Sequence, residues 1–261
     1  MLVVGLCGPQ GSGKSTGAAV LRHLLAARAL RTEILSLDDL YLTRTERARL
    51  ANSVHPLLAT RGPPGTHDVQ LGIETLQSLS AEKEALIPRF DKAADDRAPV
   101  DSWARITGRT DIVIFEGWCV GARPEPDAAL REPINELERV EDAEGIWRGY
   151  VNDALKGTYQ QLFGFVNYLV LIEAPDFSAV VEWRREQEHK LRARAGSNSP
   201  DTIGIMSDTK LHRFMQLYER TTANIAREMP SRADMVIPLD RYRNIVTTGI
   251  LNRSIDNNSS A

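Results

Sequence analysis

The chain has 261 residues, 42% of them apolar and 26% charged, a composition that excludes a disordered or fibrous chain. Its formal net charge of -3, with no Lys/Arg-rich block to offset it, argues against nucleic acid as the main partner. Two cysteines, Cys7 and Cys119, lie in or just after apolar runs, so buried thiols in a reducing compartment are expected rather than a disulfide framework.

The N-terminal "MLVVGLCGPQ" enters a strand directly. It has no signal-peptide pattern, and no apolar run approaches the length of a membrane span, so a cytoplasmic protein without a membrane partner is expected. The first strand, Leu2–Cys7, opens into "GPQGSGKS", which satisfies G-x-x-x-x-G-K-[ST] and leads into a predicted helix over Lys14–Ala29. Gly8, Pro9, Gln10, Gly11, Ser12, Gly13, Lys14, Ser15 and Thr16 are therefore the candidate nucleotide-binding residues. Glycines let backbone N–H groups curl around phosphate oxygens, and the helix start adds its positive dipole end. In that arrangement Lys14 reaches the β- and γ-phosphates and Ser15 ligates Mg2+.

The second strand, Thr32–Leu37, runs into "SLDDLY". Asp38 and Asp39 emerge beside the γ-phosphate position if this strand lies close to the first. A carboxylate there can take the proton of a substrate hydroxyl, or, for Asp38, serve Mg2+. For both, capping a turn is the plainer use of an Asp. Next comes "RGPPGTHD", Arg61–Asp68, in which two prolines and two glycines preset the backbone around Arg61, Thr66, His67 and Asp68. A helix is predicted over Val69–Leu79, so Asp68 has a rival role as its cap, and His67 could be an ordinary surface histidine. The segment "RFDKAADDR" adds Arg89, Asp91, Lys92 and Arg97. With Asp39 and Tyr41 these form a candidate acceptor site, richer in cations than in aromatic rings, which suits a small anion held by a bidentate guanidinium.

"DIVIFEG" reads as a third strand, Asp111–Phe115, with Glu116 at its end as a second carboxylate on the Mg2+ side. The acidic stretch Pro124–Gly149 reads as a helix-rich surface excursion. A fourth strand, Tyr168–Ile172, precedes a helix over Phe177–Arg194 whose "WRREQEHKLRAR" supplies Arg184 and Arg185, cations able to stabilise charge during transfer. A helix over Lys210–Glu228 and a fifth strand, Met235–Leu239, follow. The turn "PLDRYRN", Pro238–Asn244, is placed near the nucleotide base on position alone, and the tail "SIDNNSSA" is expected to fray. Strands alternating with amphipathic helices predict an α/β chain with a mainly parallel sheet. No linker stands out, so one domain over 1–261 is expected, with an acceptor-side insertion at about 40–105. N-K-x-D and the switch-type D-x-x-G are absent, which disfavours a signalling GTPase.

"GPQGSGKS", "SLDDLY", "RGPPGTHD", "IPRFDKAADDR" and "IVIFEGW" follow one another in an order that resembles the D-glycerate 3-kinases of the plant and fungal type. These are P-loop kinases akin to uridine kinase, phosphoribulokinase and bacterial-type pantothenate kinase. The resemblance runs from Leu2 to about Leu239 and is most specific from Ser36 to Trp118. It implies a P-loop NTPase fold with a five-stranded parallel sheet, helices on both faces and a helical lid at about 183–200. It also implies ATP with Mg2+ as cofactors and phosphorylation of a small hydroxyl compound, D-glycerate first. On this resemblance Lys14 and Ser15 match the nucleotide loop, Asp38 the proposed base, Glu116 the acid after the third strand, and Arg184 and Arg185 the lid arginines. One departure stands: the stretch between Asp91 and Arg97 is shorter than in the plant and fungal forms and lacks their glycine-containing insert. A uridine, cytidine or pantothenate kinase is the alternative within the class, and an ATP-binding regulatory protein the alternative outside it. Oligomeric state is left open.

Overall fold

A computed structural model describes residues 1–81, 83–195 and 206–246. The tail expected to fray and the last five residues of the expected lid, 196–200, lie outside the described residues. In chain order the strands are β1 Leu2–Cys7, β2 Thr32–Ser36, β3 Ala85–Ile87, β4 Phe90–Asp91, β5 Asp96–Arg97, β6 Ala104–Ile106, β7 Ile112–Gly117, β8 Tyr168–Glu173 and β9 Met235–Pro238. The helices are α1 Lys14–Ala26, α2 Arg44–Ser53, α3 Val69–Ser80, α4 Glu136–Glu141, α5 Ile146–Lys156, α6 Thr158–Phe163, α7 Phe177–Ala195 and α8 Asp208–Glu228.

Five strands form one parallel sheet in the order β2-β7-β1-β8-β9. These are the five runs expected from the sequence. Alternation along them assigns the two faces. Val3 and Cys7, Val113 and Phe115, and Leu169 and Leu171 pack in a large core with residues of α3, α5, α6 and α8. Leu6, Ile114 and Ile172 point the other way, against Ala18 of α1 and Ala179 and Trp183 of α7. Helices therefore cover both faces. Both cysteines are fully buried and unpaired, and burial pushes the Cys7 thiol up to about 12.

Boundary differences have local causes. α1 ends three residues early because Ala29 turns left-handed (φ 58°) while the Leu30 amide bonds back to the Leu25 carbonyl. β2 stops at Ser36 because Leu37–Leu40 wind into a 3-10 turn that aims Asp38 and Asp39 away from the strand axis. β7 runs on through Gly117, which makes Glu116 a residue of the sheet. The acidic excursion holds α4 and the start of α5, and Arg220 of α8 pins it through Glu138 and the carbonyls of Ala129 and Glu132. The region from 40 to 105 contains two small antiparallel ribbons, β3 with β6 and β4 with β5. Neither belongs to the central sheet.

Candidate active site

The strand order sets the site. β7 lies between β1 and β2, so Glu116 is in register with Leu6 on one side and Ser36 on the other. The loop after β1 and the turn after β2 thus flank one buried carboxylate, at the carboxyl edge where open α/β sheets bind ligands.

The phosphate-side loop is shaped by its glycines and by the far end of the chain. Gly11 (φ 77°) and Gly13 (φ 88°) take left-handed backbone, and a Cβ on Gly11 would run into Trp183. Arg243 donates from Nε to the Gly11 carbonyl (2.8 Å), lies over the Trp183 ring, and pairs with Glu186 (2.9 Å). Trp183 in turn donates to the Arg241 carbonyl (2.8 Å). The turn after β9 accordingly packs against the phosphate loop. α1 starts at Gly13 with no side-chain cap and no acid in its first turn. Its first N–H groups therefore lack the partners that a Ser, Asp or Glu normally supplies, which suits a bound anion.

Glu116 is 4% exposed. Its Oε1 accepts from Ser15 Oγ (2.9 Å) and Ser36 Oγ (3.0 Å), while Oε2 is buried without a hydrogen-bond partner. A buried carboxylate oxygen left unpaired beside the phosphate loop fits a cation there. Among the described residues no cluster of three His, Cys, Asp or Glu side chains could hold a metal unaided, so such a cation fits as a companion of the nucleotide phosphates.

The two aspartates after β2 divide. Asp39 is engaged by the protein: its Oδ1 accepts from the Phe90 amide (3.0 Å) and its Oδ2 from Arg89 (3.1 Å). Asp38 is partly exposed and accepts from the Tyr41 hydroxyl (2.8 Å) and from Lys92 Nζ (2.7 Å). Burial works to raise the Asp38 pKa, but Lys92 and Lys14, with the two hydrogen bonds, outweigh it and hold the carboxyl well below the usual carboxylate range. Asp38 is therefore a persistent carboxylate.

In "RGPPGTHD" most polar groups face inward. Thr66 is fully buried, donating to the Pro63 carbonyl (2.7 Å) and accepting from the Gly62 amide (3.0 Å). Asp68 caps α3 through the Leu71 amide (3.0 Å) and pairs with Arg97 (2.9 Å). Asp91 caps its own turn through the amides of Ala93 and Ala94. Arg61 pairs with Asp95 and lies over the Phe90 ring. His67 is 5% exposed, stacks on Tyr41 at 4.6 Å, and shares a 2.5 Å hydrogen bond with the Tyr159 hydroxyl through Nδ1. The Gly65 amide also donates to that hydroxyl (2.9 Å), and His67 Nε2 is buried without a hydrogen-bond partner. Burial pulls the His67 pKa down to about 3, so the ring is neutral.

Arg184 pairs with Glu188 on its own helix and lies over Phe214 of α8, while the Nε of Arg185 is buried without a partner. The sequence reading missed Arg47. It is 1% exposed, donates to the carbonyls of Leu42, Ala59 and Asp95, and pairs with the Asp95 carboxylate (3.0 Å).

This architecture has known counterparts. A solved structure of D-glycerate 3-kinase from Cryptococcus neoformans is 31% identical to the chain, covering 96% of it and 89% of that protein, with a TM-score of 0.76. The chain belongs to the D-glycerate 3-kinase family. A kinase of Schizosaccharomyces pombe named only as uncharacterised is 33% identical over 92% of the chain and 89% of its own length. The chloroplastic D-glycerate 3-kinase of Arabidopsis thaliana is 31% identical over 93% of the chain, which spans about half (53%) of that protein. No protein-family model matches the chain. No helix among the described residues is long and apolar enough to cross a membrane.

Proposed function

We propose that the chain transfers the γ-phosphoryl group of ATP to a hydroxyl of D-glycerate. The observation that carries this reading is the placement of Glu116 between the phosphate loop and Asp38, one strand away on either side. A nucleotide on that loop faces a second carboxylate whose position suits an incoming hydroxyl. The names of the family members supply the acceptor.

Phosphoryl transfer has a loose transition state, so positioning and charge stabilisation do most of the work. Loop amides and the α1 N-terminus bind the phosphates, and Lys14, the first residue of that helix, supports the transferring group. Ser15 and Glu116 would hold Mg2+, which supplies charge neutralisation across the phosphates when bound. Asp38, ionised at all working pH values, accepts the hydroxyl proton or orients that hydroxyl. Arg184 and Arg185 are proposed to act on the nucleotide once the lid segment closes. Arg61, Thr66, Asp68, Arg89, Asp91 and Arg97 serve the acceptor side chiefly by fixing its walls, and Tyr41 and His67 by bracing Asp38.

A coupled ADP-release assay with Mg-ATP tests this. The acceptor panel is D-glycerate, L-glycerate, uridine, cytidine, pantothenate and ribulose 5-phosphate. Turnover with D-glycerate is expected, and ADP release should stay negligible without an acceptor. Turnover confined to a nucleoside overturns the acceptor, and acceptor-independent hydrolysis overturns the kinase.

A further inference from the structure

The acceptor side carries cations at Arg61, Arg89, Lys92 and Arg97, and their partners differ in kind. Arg61 pairs with Asp95, Arg89 with Asp39 and Arg97 with Asp68. Each of those carboxylates has a second structural duty: Asp95 also holds Arg47, Asp39 holds the Phe90 amide and Asp68 caps α3. Lys92 instead reaches the carboxylate at the end of β2. Its Nζ lies 2.7 Å from Asp38 Oδ2, and its side chain is 57% exposed. An ammonium has three donors, and this contact uses one.

The backbone that presents Lys92 is fixed. β4 and β5 pair Phe90 with Arg97 and Asp91 with Asp96, leaving a four-residue turn, Lys92–Asp95. Asp91 caps the amides of residues 93 and 94, Asp95 closes the turn in left-handed backbone (φ 54°), and buried Arg47 grips the Asp95 carbonyl and carboxylate. Arg61 adds a contact of 3.5 Å to the Lys92 carbonyl. A flexible cation thus projects from a rigid turn over the proposed base.

A short hydroxy acid whose hydroxyl meets Asp38 brings its own carboxylate close to the Asp38 charge. Without a cation between them the two anions repel. We propose that Lys92 is the specificity-determining cation of this enzyme: it binds the acceptor carboxylate while remaining against Asp38, and so favours anionic over neutral acceptors. This deepens the kinase reading above and rests on it.

The test compares wild type, Lys92→Gln and Lys92→Arg with Mg-ATP on D-glycerate and on glyceramide, its neutral amide. Lys92→Gln should raise the KM for D-glycerate about 10- to 100-fold, the loss of one hydrogen bond to a charged group. The KM for ATP should stay nearly constant, kcat/KM for glyceramide should fall much less than that for D-glycerate because only the contact to Asp38 is lost there, and Lys92→Arg should recover most of the loss. Parallel losses on the acid and the amide overturn the proposal, because a merely structural lysine lowers both. An unchanged KM for D-glycerate overturns it too. Wild-type enzyme inactive on D-glycerate overturns the parent reading and the role of Lys92 together, whereas an active wild type with an unmoved Lys92→Gln overturns Lys92 alone. Should Lys92→Gln melt early, the retained selectivity of Lys92→Arg, or its loss, decides.

Discussion

On the nucleotide side of the site, polar groups are left without protein partners. α1 begins uncapped, and Glu116 keeps a buried oxygen unpaired. On the acceptor side, from Arg61 to Arg97, charges are paired to one another: Arg61 and Arg47 with Asp95, Arg89 with Asp39, Arg97 with Asp68. The phosphate side keeps an open carboxylate oxygen and open helix-start amides, whereas the acceptor side, although His67 Nε2 and Arg97 Nε lack partners, pairs its charges internally, so different losses on substitution are expected. Changes near the phosphate loop should cost activity with little stability. Changes in the acceptor wall should cost stability first, and activity through it.

The largest effect expected is kinetic. Asp38→Ala should lower kcat by about 10²- to 10⁴-fold, the range for loss of a general base, with Mg-ATP affinity largely kept. Equal loss of ATP affinity would assign Asp38 to the cation instead. Lys14→Ala should reduce kcat by roughly 10²- to 10³-fold and weaken ATP as well, with a melting temperature near that of wild type. On the other side, Arg47→Met removes a buried guanidinium and leaves three carbonyls short of a donor. A loss of about 3 kcal/mol is expected, or a Tm lowered by roughly 6–12 °C for a chain of this size. A wild-type melting curve would show that the acceptor wall is not held from beneath.

Gly62 (φ 133°) sits where a Cβ would overlap the Tyr218 hydroxyl, so Gly62→Ala should cost on the order of 2 kcal/mol. Chemical denaturation reads this directly, and a neutral result would mean that the loop shifts freely. The smallest effect is a pH slope. Unfolded His67 takes a proton near pH 6.5, whereas the folded ring resists it until about 3, so its share of stability is complete above 6.5 and drains away as the pH falls toward 3. Between pH 6.5 and 5 this amounts to about 1–2 kcal/mol, and His67→Phe should flatten that part of the stability curve. An unchanged slope in the variant would assign the acid sensitivity elsewhere.

Much of the fold is legible in the sequence because the five sheet strands are short apolar runs, each followed by a turn and most by a helix. The phosphate loop is legible because its chemistry lies within eight consecutive residues. The acceptor wall is harder for a physical reason: its charges are identifiable singly, but their partners are set by tertiary contact. Apart from the Tyr41 hydroxyl on Asp38, the division between Asp38 and Asp39 rests on Phe90, Arg89 and Lys92, some fifty residues on. Arg47 reads as an ordinary charge on a polar helix, yet it is among the most buried side chains of the chain. His67 finds Tyr159 across 92 residues. The ribbons β3 to β6, two or three residues each, are too short for alternation to show.

The β4–β5 ribbon meets the rest of the chain through side chains and loop carbonyls, and no strand of the central sheet passes through it. Its tip can therefore change length without shifting the register of any strand beneath the nucleotide, so long as a carboxylate remains for Arg47 to grip. That makes the segment between Asp91 and Arg97 an exchangeable cassette. Under the proposed function, a longer tip that keeps Lys92 on Asp38 is expected to change which acceptors are admitted while the phosphate loop, which the ribbon does not form, is left as it is.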